Sequence, residues 1–187
     1  WVGALLLVFS LAALLVCLSH GYSWGYASLR TLALAVIGFV SLGVFIHAEK
    51  RIPYPVMDLS LFTIRLFTLP VVSAVMLFIT LFAVVFLMPF YLVHPCGFGV
   101  DTVGMIMVTP FVFLFFLSPL SGWIYDFLGS RSLCTVGMIF LGAGLFALSG
   151  LPASASITQI LWRLALIGIG TAVFLPPNSS AAMTAVP

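Results

Sequence analysis

Charge is what this chain has least of. Asp, Glu, Lys and Arg make up 5% of its 187 residues, where an ordinary soluble domain carries about 25%. So few charges cannot cover a water-facing surface, which excludes a soluble globular protein. The formal net charge of +2 is too small to hold a nucleic acid by its phosphates. Only four acids are present, and none lies inside a long apolar run, so these residues offer no intramembrane carboxylate of the kind that carries protons or cations. Cysteine is scarce as well. Cys17, Cys96 and Cys134 stand at no metal-ligand spacing and read as buried structural thiols. The pairing of His94 with Cys96 lacks further ligands for a metal site. No nucleophile elbow, phosphate-binding loop or zinc motif occurs, so the chain is not expected to be an enzyme or to hold a cofactor. No basic stretch precedes the first apolar run, so that run is not a signal peptide. With Trp1 at one end and Pro187 at the other, the sequence reads as an internal piece of a longer protein.

What is abundant is apolar surface. Hydrophobic residues make up 64% of the chain and the mean hydropathy is +1.35. Charge-free runs extend over 1–29, 31–48, 66–100, 102–125, 132–162 and 164–187, while about 20 apolar residues suffice to cross a bilayer as a helix. No alternation of polar and apolar residues supports a membrane barrel. The expected fold is all-α, a polytopic transmembrane bundle of six spans, near 2–18, 30–46, 69–91, 102–120, 133–148 and 157–175.

Between the first two spans, Ser19 to Tyr26 supply glycines for a turn and aromatics for the interface. After the second, His47 to Pro55 leaves the membrane, because Pro53 and Pro55 forbid helix continuation. The stretch 56–67 reads either as a short interfacial helix, with Asp58 at its positive end and Leu59, Phe62 and Leu66 on one face, or as an extended linker. Asp101 and Thr102 suit the cap of the fourth span. Pro89 predicts a bend late in the third span, Pro110 a kink in the fourth, and Pro176-Pro177-Asn178 an end or sharp bend of the sixth. Gly142, Gly144, Gly168 and Gly170 give the last two spans small-residue surfaces for close helix packing.

The chain is organised around Gly122-Trp123-Ile124-Tyr125-Asp126-Phe127-Leu128-Gly129-Ser130-Arg131, a polar turn between two spans. Gly122 would end a helix where backbone passes closely, Gly129 would turn the chain, and Asp126 can face a helix N-terminus and pair with Arg131. Two readings follow: a charge latch that biases one conformation, or a solvated turn that only sets topology. Lys50, Arg51, Arg65 and Arg131 fall on one side of six spans and Arg30 on the other, which places loops 47–67 and 122–131 in the cytoplasm. Arg163 is the one charge within a span. Ten Ile, Leu, Val or Phe residues around it contribute roughly −3 to −6 kcal/mol to insertion, against about +2.5 to +3.5 for a central Arg. It either snorkels to the outer interface or faces inward to a substrate or a distant acid. Phe111 and Phe115 are candidates to line a cavity for apolar or aromatic cations, with lipid-facing packing as the alternative.

Gly122-x-x-x-Asp126-x-x-Gly129-x-Arg131 resembles the cytoplasmic signature loop of the major facilitator superfamily, Gly-x-Leu-Ala-Asp-Arg-x-Gly-Arg-Lys. Trp123-Ile124-Tyr125, Phe127, Ser130 and Ser132 depart from it, as the degenerate copy in the C-terminal half does. Glu49-Lys50-Arg51-Ile52-Pro53-Tyr54-Pro55-Val56-Met57-Asp58-Leu59-Ser60-Leu61-Phe62, then Gly104 with Pro110, and Gly168-Ile169-Gly170 followed by Pro177, Asn178 and Pro187, are similar to the fourteen-span drug:proton antiporter branch. The resemblance implies a partial major-facilitator fold. Residues 1–48 would be two linker helices, 49–67 a cytoplasmic segment, and 68–187 the first four helices of the C-terminal bundle. It further implies an exporter of amphipathic or cationic small molecules in the cell membrane, monomeric when full length, with the proton-coupling acid outside these residues. A metabolite transporter of another branch, or a non-transporting membrane scaffold, is the alternative reading.

Overall fold

The computed structural model describes residues 2–49 and 59–184. It is all helical among those residues: α1 (Val2–Trp24), α2 (Leu29–Glu49), a 3-10 turn (Leu59–Thr63), α3 (Arg65–Val93), α4 (Val100–Ser149) and α5 (Ile157–Thr184). Five of these helices are long and apolar enough to cross a membrane. The chain divides into two compact units, 1–63 and 64–187.

The first unit is a hairpin of α1 and α2. Helix α1 runs past its expected end at residue 18, through Gly21, and stops at Trp24. The turn is made by Gly25, whose φ of 84° is open to glycine at little cost. Ser28 then caps α2: its side-chain oxygen accepts from the Thr31 amide at 3.3 Å, and the Thr31 hydroxyl donates to the Gly25 carbonyl at 3.0 Å. Across the hairpin the Cys17 thiol donates to the Thr31 carbonyl at 3.4 Å. Helix α2 is longer than expected and carries Glu49 as its last residue, buried at 3% exposure. The expectation that every acid stands clear of the spans fails here, because α2 keeps winding until Glu49 packs beside Gly3. A methyl built on Gly3 would stand 2.6 Å from the Glu49 carboxyl.

In the second unit α3 begins at Arg65, earlier than residue 69, because the only break is the extended Ile64 (φ −83°, ψ 113°). Of the stretch 56–67, positions 59–63 form a 3-10 turn and 65–67 open α3, while 56–58 lie outside the described residues. Residues 50–58, with most of the acid-and-proline segment, lie outside the described residues. Helix α4 caps on Gly99, so Asp101 sits in its first turn, near the positive helix end, and does not cap it.

The predicted fourth and fifth spans are continuous in α4. A straight helix of 50 residues would be about 75 Å long, more than twice the ~30 Å hydrocarbon core. It does not run straight. Gly129 breaks it with φ 73° and ψ 167°, and α5 shows that the chain reverses there. Along the first arm, Pro110 lies against Gly168 and Ser121 against Val173. Along the second, Cys134 lies against Phe174, Gly137 against Gly170 and Gly144 against Ile167. The first arm therefore runs parallel to α5 and the second antiparallel to it.

Helix α3 is also antiparallel to α5, tied at one end by Asn178 to Pro70 and at the other by the Tyr91 hydroxyl, which donates to the Pro152 carbonyl at 2.6 Å. Helix α5 is the hub: half of its apolar window is buried, against 11% for α3. Its core residues Ile160, Leu164 and Ile167 pack with Leu77 and Leu92 of α3 and Val103, Ile106 and Leu141 of α4. Pro176 and Pro177 do not end it, since the helix continues to Thr184.

Small residues set the spacing. A methyl on Gly168 would meet the Pro110 carbonyl oxygen at 2.6 Å, and one on Gly170 the Leu141 amide nitrogen at 2.5 Å. These are backbone atoms that cannot move aside. Gly144 is similarly closed off by Ile167, but nothing approaches Gly142, which faces outward. The packing partner that composition alone did not single out is Gly137, pressed on Phe174 and Gly170. Gly170→Ala is expected to cost about 1–3 kcal/mol through overpacking, and Gly142→Ala to gain up to about 1 kcal/mol through helix propensity. Thermal unfolding of the two variants in detergent checks the contrast, and equal melting shifts would contradict it.

Candidate functional site: the Gly129 reversal and the cavities beside it

The polar stretch 122–131 is helical up to the reversal, so a single residue makes the turn. The Gly129 conformation, positive φ with extended ψ, is essentially closed to any residue with a Cβ. Gly122 is different. It sits inside the first arm with open space where a Cβ would be, so no close backbone passage requires it there. Trp123 and Phe127, one turn apart and both exposed, stack edge to face at 5.1 Å. Asp126 and Arg131 are exposed as well, and among the described residues no ion pair joins them.

Arg131 borders a groove of about 590 Å³ lined by Leu66, Leu69, Pro70 and Ser73 of α3, Ser130, Arg131 and Cys134 of α4, and Asn178, Ala181 and Thr184 of α5. Asn178 is its buried polar centre, 5% exposed. Its amide nitrogen donates to the Pro70 carbonyl at 2.9 Å, and its oxygen accepts from the Ser73 hydroxyl at 3.3 Å. Helical spacing gives no hint of this contact, because it depends on how α3 and α5 cross. The sequence signal was a polar residue directly after two prolines.

A second cavity, about 220 Å³, lies between α3, the first arm of α4 and α5. Phe78, Phe82, Met107, Leu114, Leu164 and Phe111 are among its walls, and Thr171 brings the single hydroxyl. That hydroxyl is already donated to the Ile167 carbonyl at 2.8 Å, so the cavity presents apolar surface. Phe115 is not among the lining residues. It is 74% exposed and meets Phe116 edge to face at 5.3 Å.

Arg163 lies toward the opposite end from Gly129. Its Nη1 donates to the Gln159 carbonyl at 3.2 Å, back toward the start of α5, and its guanidinium stands 4.8 Å from the Trp162 ring centroid. Its Nε is buried with no acceptor among the described residues. The side chain thus reaches outward along the helix while one donor stays inside the protein.

Comparison with known proteins adds to this geometry. The chain is 25% identical over 185 residues to the uncharacterized MFS-type transporter YhcA of Bacillus subtilis, an alignment covering 99% of the chain and 35% of that protein. The chain is thus similar to a major facilitator transporter over nearly its whole length. It is also 29% identical over 175 residues to the uncharacterized transporter YebQ of Escherichia coli, covering 93% of the chain and 38% of YebQ. With the multidrug resistance protein Stp of Mycobacterium tuberculosis it shares 29% identity over 186 residues, 99% of the chain and 34% of Stp. No protein-family profile matches the chain, and no solved structure does. The chain spans little more than a third of the length of these relatives.

Gly129→Ala forces a Cβ into the positive-φ region and is expected to cost about 1–3 kcal/mol. A melting temperature or membrane expression level unchanged from wild type would show that the reversal tolerates a side chain.

Proposed function

We propose that the chain is part of a secondary active exporter of the fourteen-span drug:proton antiporter branch, working by alternating access to expel amphipathic or cationic compounds. The observation that carries this is the alignment of nearly the whole chain with a multidrug resistance protein. The apolar cavity between α3, α4 and α5 supports it, because its walls would favour the apolar parts of such compounds without fixing their polar groups. In this reading the two arms of α4 each cross the membrane, which makes six spans with α1, α2, α3 and α5. Residues 1–48 are linker helices and 68–187 open the C-terminal bundle. Two halves of a full-length, monomeric protein would rock about a midplane site, driven by protons taken up at an acid outside these residues.

Gly122, Asp126, Gly129 and Arg131 form the conformational latch of this reading. Both charges are exposed, so they are available to a neighbouring helix end, where a charge contributes about 0.3–1 kcal/mol. One efflux experiment tests cavity and latch together, using a fluorescent cationic dye in everted vesicles of the full-length protein. Leu114→Trp fills the cavity and is expected to lower dye efflux about tenfold, or ~1.4 kcal/mol, with surface expression unchanged. Asp126→Asn is expected to slow efflux while leaving dye affinity intact. Wild-type efflux in both variants would remove the cavity and the latch from the mechanism.

Sidedness follows from the Lys and Arg distribution, with loops 47–67 and 122–131 cytoplasmic. With the native cysteines replaced, Ser130→Cys is expected to react with an impermeant thiol reagent only after cells are permeabilised. Labelling in intact cells would invert the topology.

A further inference from the structure

Pro176 and Pro177 remove two amide donors from the last third of α5, and the carbonyls four residues back, on Ala172 and Val173, lose their helical partners. In lipid an unpaired carbonyl is expensive, and a neighbouring hydroxyl that fills the vacancy makes such a proline tolerable. The structure supplies that hydroxyl at one of the two. Ser121, on the first arm of α4 and 3% exposed, donates its hydroxyl to the Val173 carbonyl at 3.1 Å. One residue beyond the prolines, Asn178 is bound to α3 through Pro70 and Ser73. The weakened point of α5 is therefore held on two sides by two different helices. The segment it carries, Asn178 to Thr184, forms one wall of the groove that holds Arg131 and Cys134.

We propose that Pro176–Pro177 is a hinge in α5, and that Ser121 and Asn178 are the positioning residues that hold it closed over the groove. Two missing backbone bonds lower the cost of bending at this place: Ser121 from α4 fills one vacancy at the bend, and Asn178 ties the segment beyond the prolines to α3, so bending strains the first hold and breaks the second. This deepens the transporter reading and rests on it only for the consequence for transport: release of the two side chains would widen the groove beside the signature turn during the cycle.

The test uses Cys134, which lies in the groove wall and is half-buried. In the full-length protein, in lipid nanodiscs with its other cysteines replaced, the rate of Cys134 labelling by N-ethylmaleimide reports hinge opening. Ser121→Ala is expected to raise that rate about threefold, the shift that follows from losing one typical interhelical hydrogen bond in a membrane. Asn178→Ala should raise it independently. The decisive variant is Pro177→Ala, which restores an amide donor to the Val173 carbonyl. In that background Ser121→Ala should leave the rate unchanged. An equal rise with and without Pro177 would mean that Ser121 is ordinary packing and would overturn the proposal, as would no rise from either Ser121→Ala or Asn178→Ala. Labelling needs no transport, so the predicted dependence on Pro177 in a protein that exports no dye would uphold the hinge and reject the exporter.

Discussion

The second unit depends on backbone meeting backbone along α5. Gly168 and Gly170 are two residues apart, about 200° around a helix at 3.6 residues per turn, so they point to nearly opposite sides. One admits Pro110 on the outgoing arm of α4, the other Leu141 and Gly137 on the returning arm. Lipid gives helices no hydrophobic reason to associate, and close van der Waals approach is what remains. A side chain at either glycine would push one arm away and leave α5 packed on the other alone. The hub position of α5, the reversal at Gly129 and the cavity beside Gly168 all presuppose this double grip.

That grip explains why α5 can carry an Arg and two prolines. Arg163 lies before the glycine pair and directs a donor back to its own helix at Gln159. The prolines lie after it, where Ser121 of α4 and Ser73 of α3 both reach across with side-chain hydrogen bonds. The centre of the helix is fixed by shape, and its end by polar contacts that are fewer and weaker. Stiffness and compliance are thus divided along one helix.

Much of this was legible in the sequence. Runs without charge announced the helices, and the turn between the two arms of α4 was located to within a few residues by Asp126, Gly129 and Arg131. Gly144, Gly168 and Gly170 were recognisable as packing positions from their size alone. Other features were not legible, for physical reasons. Gly142 has the same composition signal as Gly144 but points away, since which face of a helix meets a neighbour is decided by the neighbour. Helix ends ran longer than expected at Trp24, Glu49 and Thr184, because glycine and even proline are tolerated where every backbone group must be paired internally. Phe111 lines the apolar cavity while Phe115 does not, a distinction set by helix rotation that four nearby phenylalanines could not reveal. Ser121 carried no pattern, and Asn178 only its place directly after two prolines. The role of Ser121 exists only because the Val173 carbonyl has lost its helical donor, and that of Asn178 because α3 crosses α5 there.

The Gly129 conformation bears on how such a turn drifts over evolutionary time. The reversal is encoded by one backbone geometry, and the surrounding side chains, Trp123, Asp126, Phe127, Leu128 and Arg131, are exposed. Replacing them leaves the path of the chain intact. The side chains around the turn can therefore be exchanged one by one and the chain still deliver two antiparallel helices, so long as a single glycine codon survives.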